Sequence, residues 1–328
     1  MSSHGYLLPT RGAVFASDSP ATLAANVESD VVGAATRAEA LGFDDVWVGD
    51  SVLAKPRLEP FTTLAAVASA TDAVGIGTAV YLPALRHPVH VAHQTATLDQ
   101  VSGGRLSLGV GVGVRDVERR EAEQLDVDFE RRGARLDETL SLLSRLWTGD
   151  AVTHDGEFFS LSDASVGFSP VSDPPIYVAS AAFDPKRGFP RPIRERLAER
   201  GDGWLPIAVS PESYAAGLDA ARAAVADAGR DADALDAAFY HDVVVADTEA
   251  DALARARDFF RSYYPEDEQM YEDEPLTDEQ LKRRGAFGPP AVVAEHLDRY
   301  REAGVERFVT RFPAADQRTQ LRRFADLL

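Results

Sequence analysis

Cysteine is absent from this chain of 328 residues. Without thiols the protein can form neither disulfides nor thiolate metal sites, and such a composition fits a reducing compartment. No apolar run approaches the roughly 18 residues that a membrane-spanning helix needs. The first ten residues also lack the basic start and apolar core of a signal peptide. We therefore expect a soluble, cytoplasmic protein.

Lysine is almost absent as well. The 34 basic side chains include only Lys55, Lys186 and Lys282 as lysines, and the formal net charge is −19. That charge argues against a nucleic-acid backbone or an anionic membrane as a partner. An acidic, lysine-poor surface is typical of organisms that keep molar salt in their cytoplasm, where the Debye length is about 3 Å. We expect such a haloarchaeal origin, with an ordinary acidic protein as the alternative.

Residues 74–113 are the stretch around which the chain is organised. Residues 75–82 form a short apolar run rich in β-branched residues, as suits a strand buried on both faces. Pro88 stands where a helix would begin, and Ser102-Gly103-Gly104 would end it. Residues 105–113 are a second apolar segment that becomes glycine-rich. Two buried strands joined by a helix predict a right-handed, parallel βαβ unit.

Alternation of strand and helix continues along the rest of the chain. We predict further strands at 46–49, 176–179, 203–207, 237–245 and 307–311, with single long helices over 20–42 and 118–147 among the connecting helices. About eight such units without a separating linker predict one domain over 1–328, a (β/α)₈ TIM barrel. A doubly wound sheet is the alternative, because strand count alone does not close a barrel.

Two segments depart from this alternation. Residues 151–170 alternate around a turn, which predicts a hairpin insertion. Residues 265–280 contain eight acidic side chains, which predicts a solvated loop or lid. Because substrate choice depends on such loops, the sequence leaves the substrate open.

Two motifs resemble known ligand sites, but neither has the residue spacing that such a site requires. The glycines of 109–113 lack the G-x-G-x-x-G spacing of dinucleotide-binding loops. His87, His90 and His93 follow one another at intervals of three, but no carboxylate accompanies them at ligand spacing, so we expect no metal site. Three other residues near strand ends could line a pocket or form salt bridges, namely Arg11, His241 and Arg311.

The central stretch resembles the bacterial luciferase-like family of flavin- or deazaflavin-dependent oxidoreductases. The motifs that carry the resemblance are Gly77-Thr78-Ala79-Val80, Leu82-Pro83, Arg86-His87-Pro88, Leu98-Asp99-Gln100, Ser102-Gly103-Gly104-Arg105 and Gly109-Val110-Gly111. Six separated elements agree in order and spacing. Weaker matches extend the resemblance over nearly the whole chain.

The resemblance implies a barrel with the ring of FMN or coenzyme F420 held over the carboxyl ends of the strands. It implies a cis peptide bond between Ala79 and Val80, with Val80 behind the ring, and close backbone approach at Gly109, Val110 and Gly111. Luciferases place a phosphate-binding arginine at about Val112, which this chain lacks. The candidate phosphate site is therefore the backbone and hydroxyl of Ala179, Ser180 and Ala181, with charge from Arg187 or Arg115.

The resemblance also implies that Asp50 and Ser51 lie near the polar edge of the ring. Many deazaflavin-dependent relatives have a histidine where this chain has Ser51, and a serine hydroxyl alone is no proton source. The predicted function is hydride transfer or monooxygenation on a small organic substrate, with a homodimer as one possible assembly. The alternatives are a non-catalytic flavin-binding relative and a metal-dependent barrel hydrolase.

Overall fold

A computed structural model describes residues 2–54, 56–113, 116–263 and 276–328, except the side chains of 116 and 117. The strands are β1 Ser3–Leu7, β2 Asp45–Val48, β3 Gly75–Tyr81, β4 Leu106–Val110, β5 Val152–Asp155, β6 Ser160–Ala164, β7 Ile176–Val178, β8 Gly203–Trp204, β9 Asp236–Val245, β10 Gly285–Gly288 and β11 Arg307–Arg311. The α-helices are α1 Thr10–Phe15, α2 Pro20–Asn26, α3 Gly33–Ala40, α4 Pro60–Ala70, α5 Pro88–Ser102, α6 Asp116–Gln124, α7 Arg132–Leu146, α8 Arg191–Arg200, α9 Pro211–Asp227, α10 Glu249–Tyr263, α11 Asp278–Lys282, α12 Pro290–Glu302 and α13 Gln317–Ala325.

Eight parallel strands close into a barrel. Their order is β1, β2, β3, β4, β7, β8, β9 and β11, and β11 pairs again with β1. The short β8 completes the ring because Gly203 pairs with Asp236 of β9. The predicted (β/α)₈ fold is therefore confirmed, and the doubly wound alternative is excluded because the sheet closes. β10 pairs with the carboxyl end of β9 and was not predicted from the sequence.

Two large aromatic side chains, Trp47 and Tyr177, pack together in the barrel interior, where glycines lie against the indole of Trp47. Trp47 of β2 is fully buried, and its indole packs edge-on against Tyr177 of β7. A Cβ atom at Gly77 would lie 2.5 Å from two ring atoms of Trp47, and one at Gly5 would meet the indole nitrogen. Small residues on neighbouring strands thus make room for Trp47. The interior is a packed core, as is usual for this architecture.

The two long helices predicted from the sequence are interrupted in the structure. A π-helical segment, Val27–Val32, separates α2 from α3. The second helix divides into α6 and α7, because Asp126 adopts a left-handed conformation with φ of 55°. The Val127 N–H then returns to the Ala122 carbonyl, at 2.9 Å. Val127 and Phe129 pack beside Ala122, so side-chain burial outweighs the helical pattern there.

An antiparallel hairpin is present where the sequence predicted one. β5 pairs with β6, and Glu138 of α7 accepts the main-chain N–H groups of residues 157–159. Of the predicted acidic loop, residues 265–275 lie outside the described part of the chain. Its last residues begin α11, which Thr277 and Gln280 cap reciprocally. None of the helices in the described part is long and apolar enough to cross a membrane.

Candidate active site

Half-buried apolar side chains form a floor at the carboxyl ends of the barrel strands. They are Leu7, Ala79, Val80, Ala179 and Tyr240, and they pack on the buried layer that contains Trp47, Tyr177, Leu205, Ala238 and Val309. These five residues, called here the floor, come from β1, β3, β9 and the residue after β7. Barrel enzymes carry their active sites at this end. The floor is therefore the candidate site for a flat, apolar ligand.

β3, which supplies two of the five floor residues, is irregular at the predicted position. The peptide bond between Ala79 and Val80 is cis, as predicted. The pairing of β3 with β4 shifts there, since Thr78 pairs with Leu108 but Tyr81 pairs with Val110.

Gly111 is the residue that makes room for Val80. A Cβ atom at Gly111 would lie 2.8 Å from Val80 Cγ2. Of the glycines predicted to approach a ligand, Gly111 therefore shapes the floor directly. Gly109 packs against the Thr78 carbonyl, where a Cβ would collide with the oxygen. Val110 is buried in the core between the barrel and the helices.

Asp50 is buried at the junction of β2 and β3. Its carboxylate forms an ion pair with Arg86 through two hydrogen bonds, one of them 2.9 Å long, and accepts the Leu82 N–H at 3.0 Å. Its own N–H donates to the Val80 carbonyl. Burial raises the pKa of the Asp50 carboxyl, whereas the Arg86 guanidinium opposes that shift. Both carboxylate oxygens of Asp50 are bonded to the segment that follows β3, and its N–H is bonded to Val80. Asp50 therefore holds this part of the floor in place.

Ser51 lies next to Asp50 and is buried. Its hydroxyl donates to Glu121 Oε1 at 3.3 Å, and the N–H groups of the following loop donate to the same oxygen. Sequence reasoning did not find Glu121, because α6 reads as a uniformly charged helix and only the fold shows which of its acids is buried.

The predicted phosphate-binding residues form the loop after β7. Ser180 Oγ accepts the Ala182 N–H at 3.2 Å, and the Ser180 carbonyl accepts the Trp204 indole N–H at 2.9 Å. Ala181 and Arg187 are exposed, and the Arg187 N–H donates to Asp184 in a turn. The loop is thus anchored at Ser180. Arg115, the other candidate for the phosphate charge, lies outside the described residues.

A cluster of charged side chains, of which the sequence analysis named only Arg311, lies on one side of the barrel mouth. Asp242 is fully buried between Arg284 and Arg311. Burial opposes its ionisation, but the two guanidiniums hold the pKa of Asp242 below its usual value. Arg311, a candidate pocket residue, therefore serves as an ion-pair partner here. The alternation of side chains along β11 could have predicted the inward position of Arg311, because Val309 and Arg311 share the inward face.

Arg11 and Arg57 meet at the end of α10. The Arg11 guanidinium lies 4.6 Å from the ring centre of Tyr263, and Arg57 donates to the Tyr263 hydroxyl at 3.3 Å. Arg57 also covers Gly49 at the end of β2, since a Cβ atom there would collide with its guanidinium. Two arginines and a tyrosine thus join three separate segments beside the mouth.

The histidines do not form a metal site in the described part of the chain, where no group of three potential ligands occurs. His87, His90 and His93 are exposed. His241, another candidate pocket residue, points away from the barrel interior and lies 3.1 Å from His296 and 2.8 Å from Thr310. The prediction that His241 could line the pocket is therefore wrong, because its alternation places it on the outer face of β9.

Comparison with known proteins agrees with this architecture. Residues 4–307 match the model of the luciferase-like monooxygenase family. The chain belongs to that family. It is 31% identical to an F420-dependent glucose-6-phosphate dehydrogenase of Beutenbergia cavernae, over 90% of this luciferase-like chain and 91% of the relative. It is 34% identical to an F420-dependent hydroxymycolic acid dehydrogenase of Mycobacterium tuberculosis, over 70% of this chain and 62% of the relative.

Some matched relatives are covered only in part. The alignment with an F420-dependent glucose-6-phosphate dehydrogenase of Amycolatopsis mediterranei, at 35% identity, spans 54% of this chain and 52% of the relative. Among solved structures, an F420-dependent secondary alcohol dehydrogenase with an F420–acetone adduct has a TM-score of 0.79 at 20% identity. The match covers 100% of this chain and 98% of the dehydrogenase. A monooxygenase from Streptomyces bottropensis has a TM-score of 0.75 at 22% identity, and the match covers 99% of this chain and 98% of the monooxygenase. The relatives are oxidoreductases, in agreement with the function predicted from the sequence.

The luciferase-like site fits the planar ring of a flavin or deazaflavin. The floor offers flat apolar contact, and the absence of a side chain at Gly111 preserves the position of Val80 within it. Ser180 directly follows the floor residue Ala179, and Ser51 follows Asp50, whose N–H donates to the carbonyl of Val80. An apolar surface with a few polar groups at its edge is what binding of such a ring requires.

Proposed function

We propose that this luciferase-like protein is an F420-dependent oxidoreductase that transfers hydride between the deazaflavin and a small organic alcohol or carbonyl compound. The observation that carries the proposal is the half-buried apolar floor at the carboxyl ends of the strands. The F420-dependent dehydrogenases among the relatives support the choice of cofactor. When bound, F420 supplies a ring carbon that accepts or gives a hydride.

The chain's own residues would bind and orient that cofactor. Ala79 and Val80 would contact the ring, with Gly111 behind Val80. Asp50 would hold this surface through the ion pair with Arg86. The loop at Ser180 would bind the cofactor phosphate through its N–H groups and hydroxyl, with Arg187 supplying the charge. The protein thus contributes binding, orientation and exclusion of water.

Monooxygenation with FMN is the second candidate function. The structural similarity to a monooxygenase favours it, and reduced FMN reacts with dioxygen far more readily than a reduced deazaflavin does. A metal-dependent hydrolase finds no support in the described residues, where no set of three ligands occurs. A non-catalytic flavin-binding protein remains a distinct outcome of the experiment.

The test is a titration of the purified protein, in high salt, with F420 and separately with FMN, followed by absorption and fluorescence. We expect F420 to bind more tightly and to be reduced when a secondary alcohol or glucose 6-phosphate is added. Tight binding of FMN alone would overturn the choice of F420 and favour oxygen chemistry. Bound F420 that no alcohol, sugar phosphate or carbonyl substrate reduces or reoxidises would indicate the non-catalytic alternative.

We also propose that the protein works in the salt-rich cytoplasm of a haloarchaeon, as a homodimer. The net charge of −19 and the scarcity of lysine support the first part. Stability that rises between 0.1 M and 3 M KCl, and a molar mass twice that of the chain by light scattering, are the expected results. A salt-independent monomer would overturn both statements.

A further inference from the structure

Arg57 lies beside the floor, in the loop that joins β2 to α4. Its guanidinium covers Gly49, where a Cβ atom would lie 3.2 Å from the guanidinium carbon. Val48 pairs with Thr78, so Gly49 and the floor residue Ala79 are the next residues along two adjacent strands. Adjacent strands are about 4.8 Å apart. The Arg57 guanidinium therefore packs on the strand position next to the floor.

The guanidinium of Arg57 is also on the inward face of β2. Side chains alternate along a strand, so position 49 faces the barrel interior like Trp47, two residues earlier. The hydrogen bond from Arg57 to the Tyr263 hydroxyl leads to the same place. The Tyr263 ring centre lies 5.8 Å from the guanidinium of Arg311, which lies 5.6 Å from the ring centre of the floor residue Tyr240. Since glycine at position 49 has no side chain, Arg57 supplies one there.

Arg57 differs from other arginines at the mouth in its partners. Arg86 forms an ion pair with Asp50, whereas no carboxylate in the described part of the chain pairs with Arg57. Its only hydrogen bond there is to the neutral Tyr263 hydroxyl, and its Nε is buried without a partner. Nη1, the nitrogen nearest Gly49, also has no partner in that part of the chain, and it is not buried.

Such a cation needs an explanation. A guanidinium remains charged at any physiological pH, and half-buried charges are ordinarily paired. Carboxylates are abundant, because the chain has 53 acidic and only 34 basic side chains. A planar guanidinium is suited to the oxygens of a carboxylate or a phosphate. The position of Arg57 therefore fits an anionic ligand beside the floor.

The cofactor phosphate is not the expected occupant of this position. The loop proposed to bind that phosphate follows β7, and two further strands, β3 and β4, lie between β7 and β2. Arg57 thus meets the ligand at a different side of the floor. A substrate placed over the ring would present its own groups there.

We propose that Arg57 binds an anionic group of the substrate, so that the substrate is an alcohol or carbonyl compound that also carries a carboxylate or a phosphate. This inference rests on the proposed function. The accessible N–H groups of the guanidinium donate to oxygens of the anionic group. The substrate is thereby held at one end, and its reacting carbon is oriented over the floor.

The first test needs no cofactor. In protein labelled with ¹⁵N in its arginine side chains, the resonance lost in Arg57→Met is that of Arg57. At one fixed KCl concentration, we expect inorganic phosphate or acetate to shift this resonance saturably, and the uncharged glucose and propan-2-ol to leave it unmoved. A response to phosphate alone indicates a phosphate-bearing substrate, and a response to acetate alone indicates a carboxylate. An Arg57 signal that ignores both anions, or that follows the uncharged probes equally, would overturn the proposal.

The control for this titration is Arg261, which is exposed and pairs with Asp258. Its resonance, assigned with Arg261→Met, should not respond saturably. Denaturant unfolding of Arg57→Met tests a purely structural role. Because the substitution leaves no carboxylate unpaired, we expect the variant to be at least as stable as the wild type. A clear loss of stability with unchanged anion binding would make Arg57 a support for Tyr263 and overturn the proposal.

The second test measures turnover of paired substrates, glucose 6-phosphate against glucose and lactate against propan-2-ol. We expect the wild type to prefer the anionic member of at least one pair. In Arg57→Met this preference should fall about tenfold through KM, because a charged hydrogen bond is lost, with F420 affinity within a factor of two. Arg57→Lys keeps the charge and should retain part of the preference. Arg261→Met, which removes the same charge, should retain all of it.

The outcomes separate this inference from the proposed function. Preference of the wild type for both uncharged substrates, or an undiminished preference for the anion in Arg57→Met, would overturn the inference and leave the proposed function intact. Failure of the wild type to bind F420 would overturn the proposed function, and the Arg57 resonance would still decide whether Arg57 binds an anion.

Discussion

Asp50 and Arg86 form a buried ion pair where β2 and β3 reach the barrel mouth. Arg86 donates to both carboxylate oxygens, and its guanidinium lies 4.5 Å from the ring centre of Tyr81. The Asp50 side chain is inaccessible to solvent. The pair therefore joins the loop after β3 to the end of β2, on either side of the floor residue Val80.

Removal of Arg86 should destabilise the protein strongly. Arg86→Met leaves the Asp50 carboxylate buried without its charged partner, so we expect the free energy of unfolding to fall by about 3–5 kcal/mol. Denaturant unfolding measures this loss. Asp50→Asn combined with Arg86→Met should recover part of it, because no buried charge then remains. Arg191→Met, which removes an exposed pair with Glu195, is the control and should leave the stability close to that of the wild type.

Gly111 should matter more for cofactor binding than for folding. In Gly111→Ala the new methyl group would lie 2.8 Å from Val80 Cγ2 and displace the floor. We expect a stability loss of about 1–3 kcal/mol and at least tenfold weaker binding of F420, measured by fluorescence titration. Gly133→Ala, where the nearest atom would be 3.8 Å away, should keep wild-type affinity. Equal affinity in the two variants would contradict the assigned position of the ring.

Acid should destabilise the protein through its buried histidines. Burial lowers the pKa of His4 and His296 to about 4, and it lowers the pKa of His241 well below its usual value. In the unfolded chain these groups titrate near 6.5. The unfolded state therefore binds more protons below that pH, and the free energy of unfolding should fall as the pH decreases from about 6.5 to about 4.

His296→Gln isolates one part of that pH dependence. Glutamine can still bond to His241 but does not titrate, so the loss of stability between pH 7 and pH 4 should shrink by about 2–3 kcal/mol. Urea unfolding at a series of pH values provides the measurement. The exposed His93 supplies the matched control, since His93→Gln should leave the slope unchanged. If the free energy of unfolding of His296→Gln depended on pH as it does in the wild type, His296 would not contribute to the loss of stability in acid.

Trp47 and Gly77 should be energetically coupled. Gly77→Ala places a methyl group 2.5 Å from the Trp47 ring, and such overpacking costs about 1–3 kcal/mol. In a Trp47→Leu background the same substitution should cost at least about 1 kcal/mol less, because the ring is gone. Unfolding free energies of the four proteins give the coupling directly. Strict additivity would show that the ring does not require glycine at position 77.

The alternation of parallel strands and helices could be predicted from the residues alone, and the irregular strand from the resemblance to the luciferase-like family. Buried strands alternate with helices at a regular spacing, which predicts parallel neighbours. Closure of the sheet is seen only in the pairing of β11 with β1. The resemblance to the luciferase-like family implied the cis bond between Ala79 and Val80, which the structure contains. The alternation is a local pattern that the chain order reveals, whereas no local pattern at Ala79 and Val80 indicates a cis bond without the family resemblance.

The charged groups that meet at the barrel mouth are brought together by the fold and could not be paired from the sequence. Asp50 and Arg86 are 36 residues apart, and Ser51 and Glu121 are 70 apart, so no local pattern pairs them. The burial of Glu121 likewise depends on where α6 ends and how it packs over the loop after β2. Side chains at the mouth come from loops that converge only when the sheet closes, and their contacts are set by that closure.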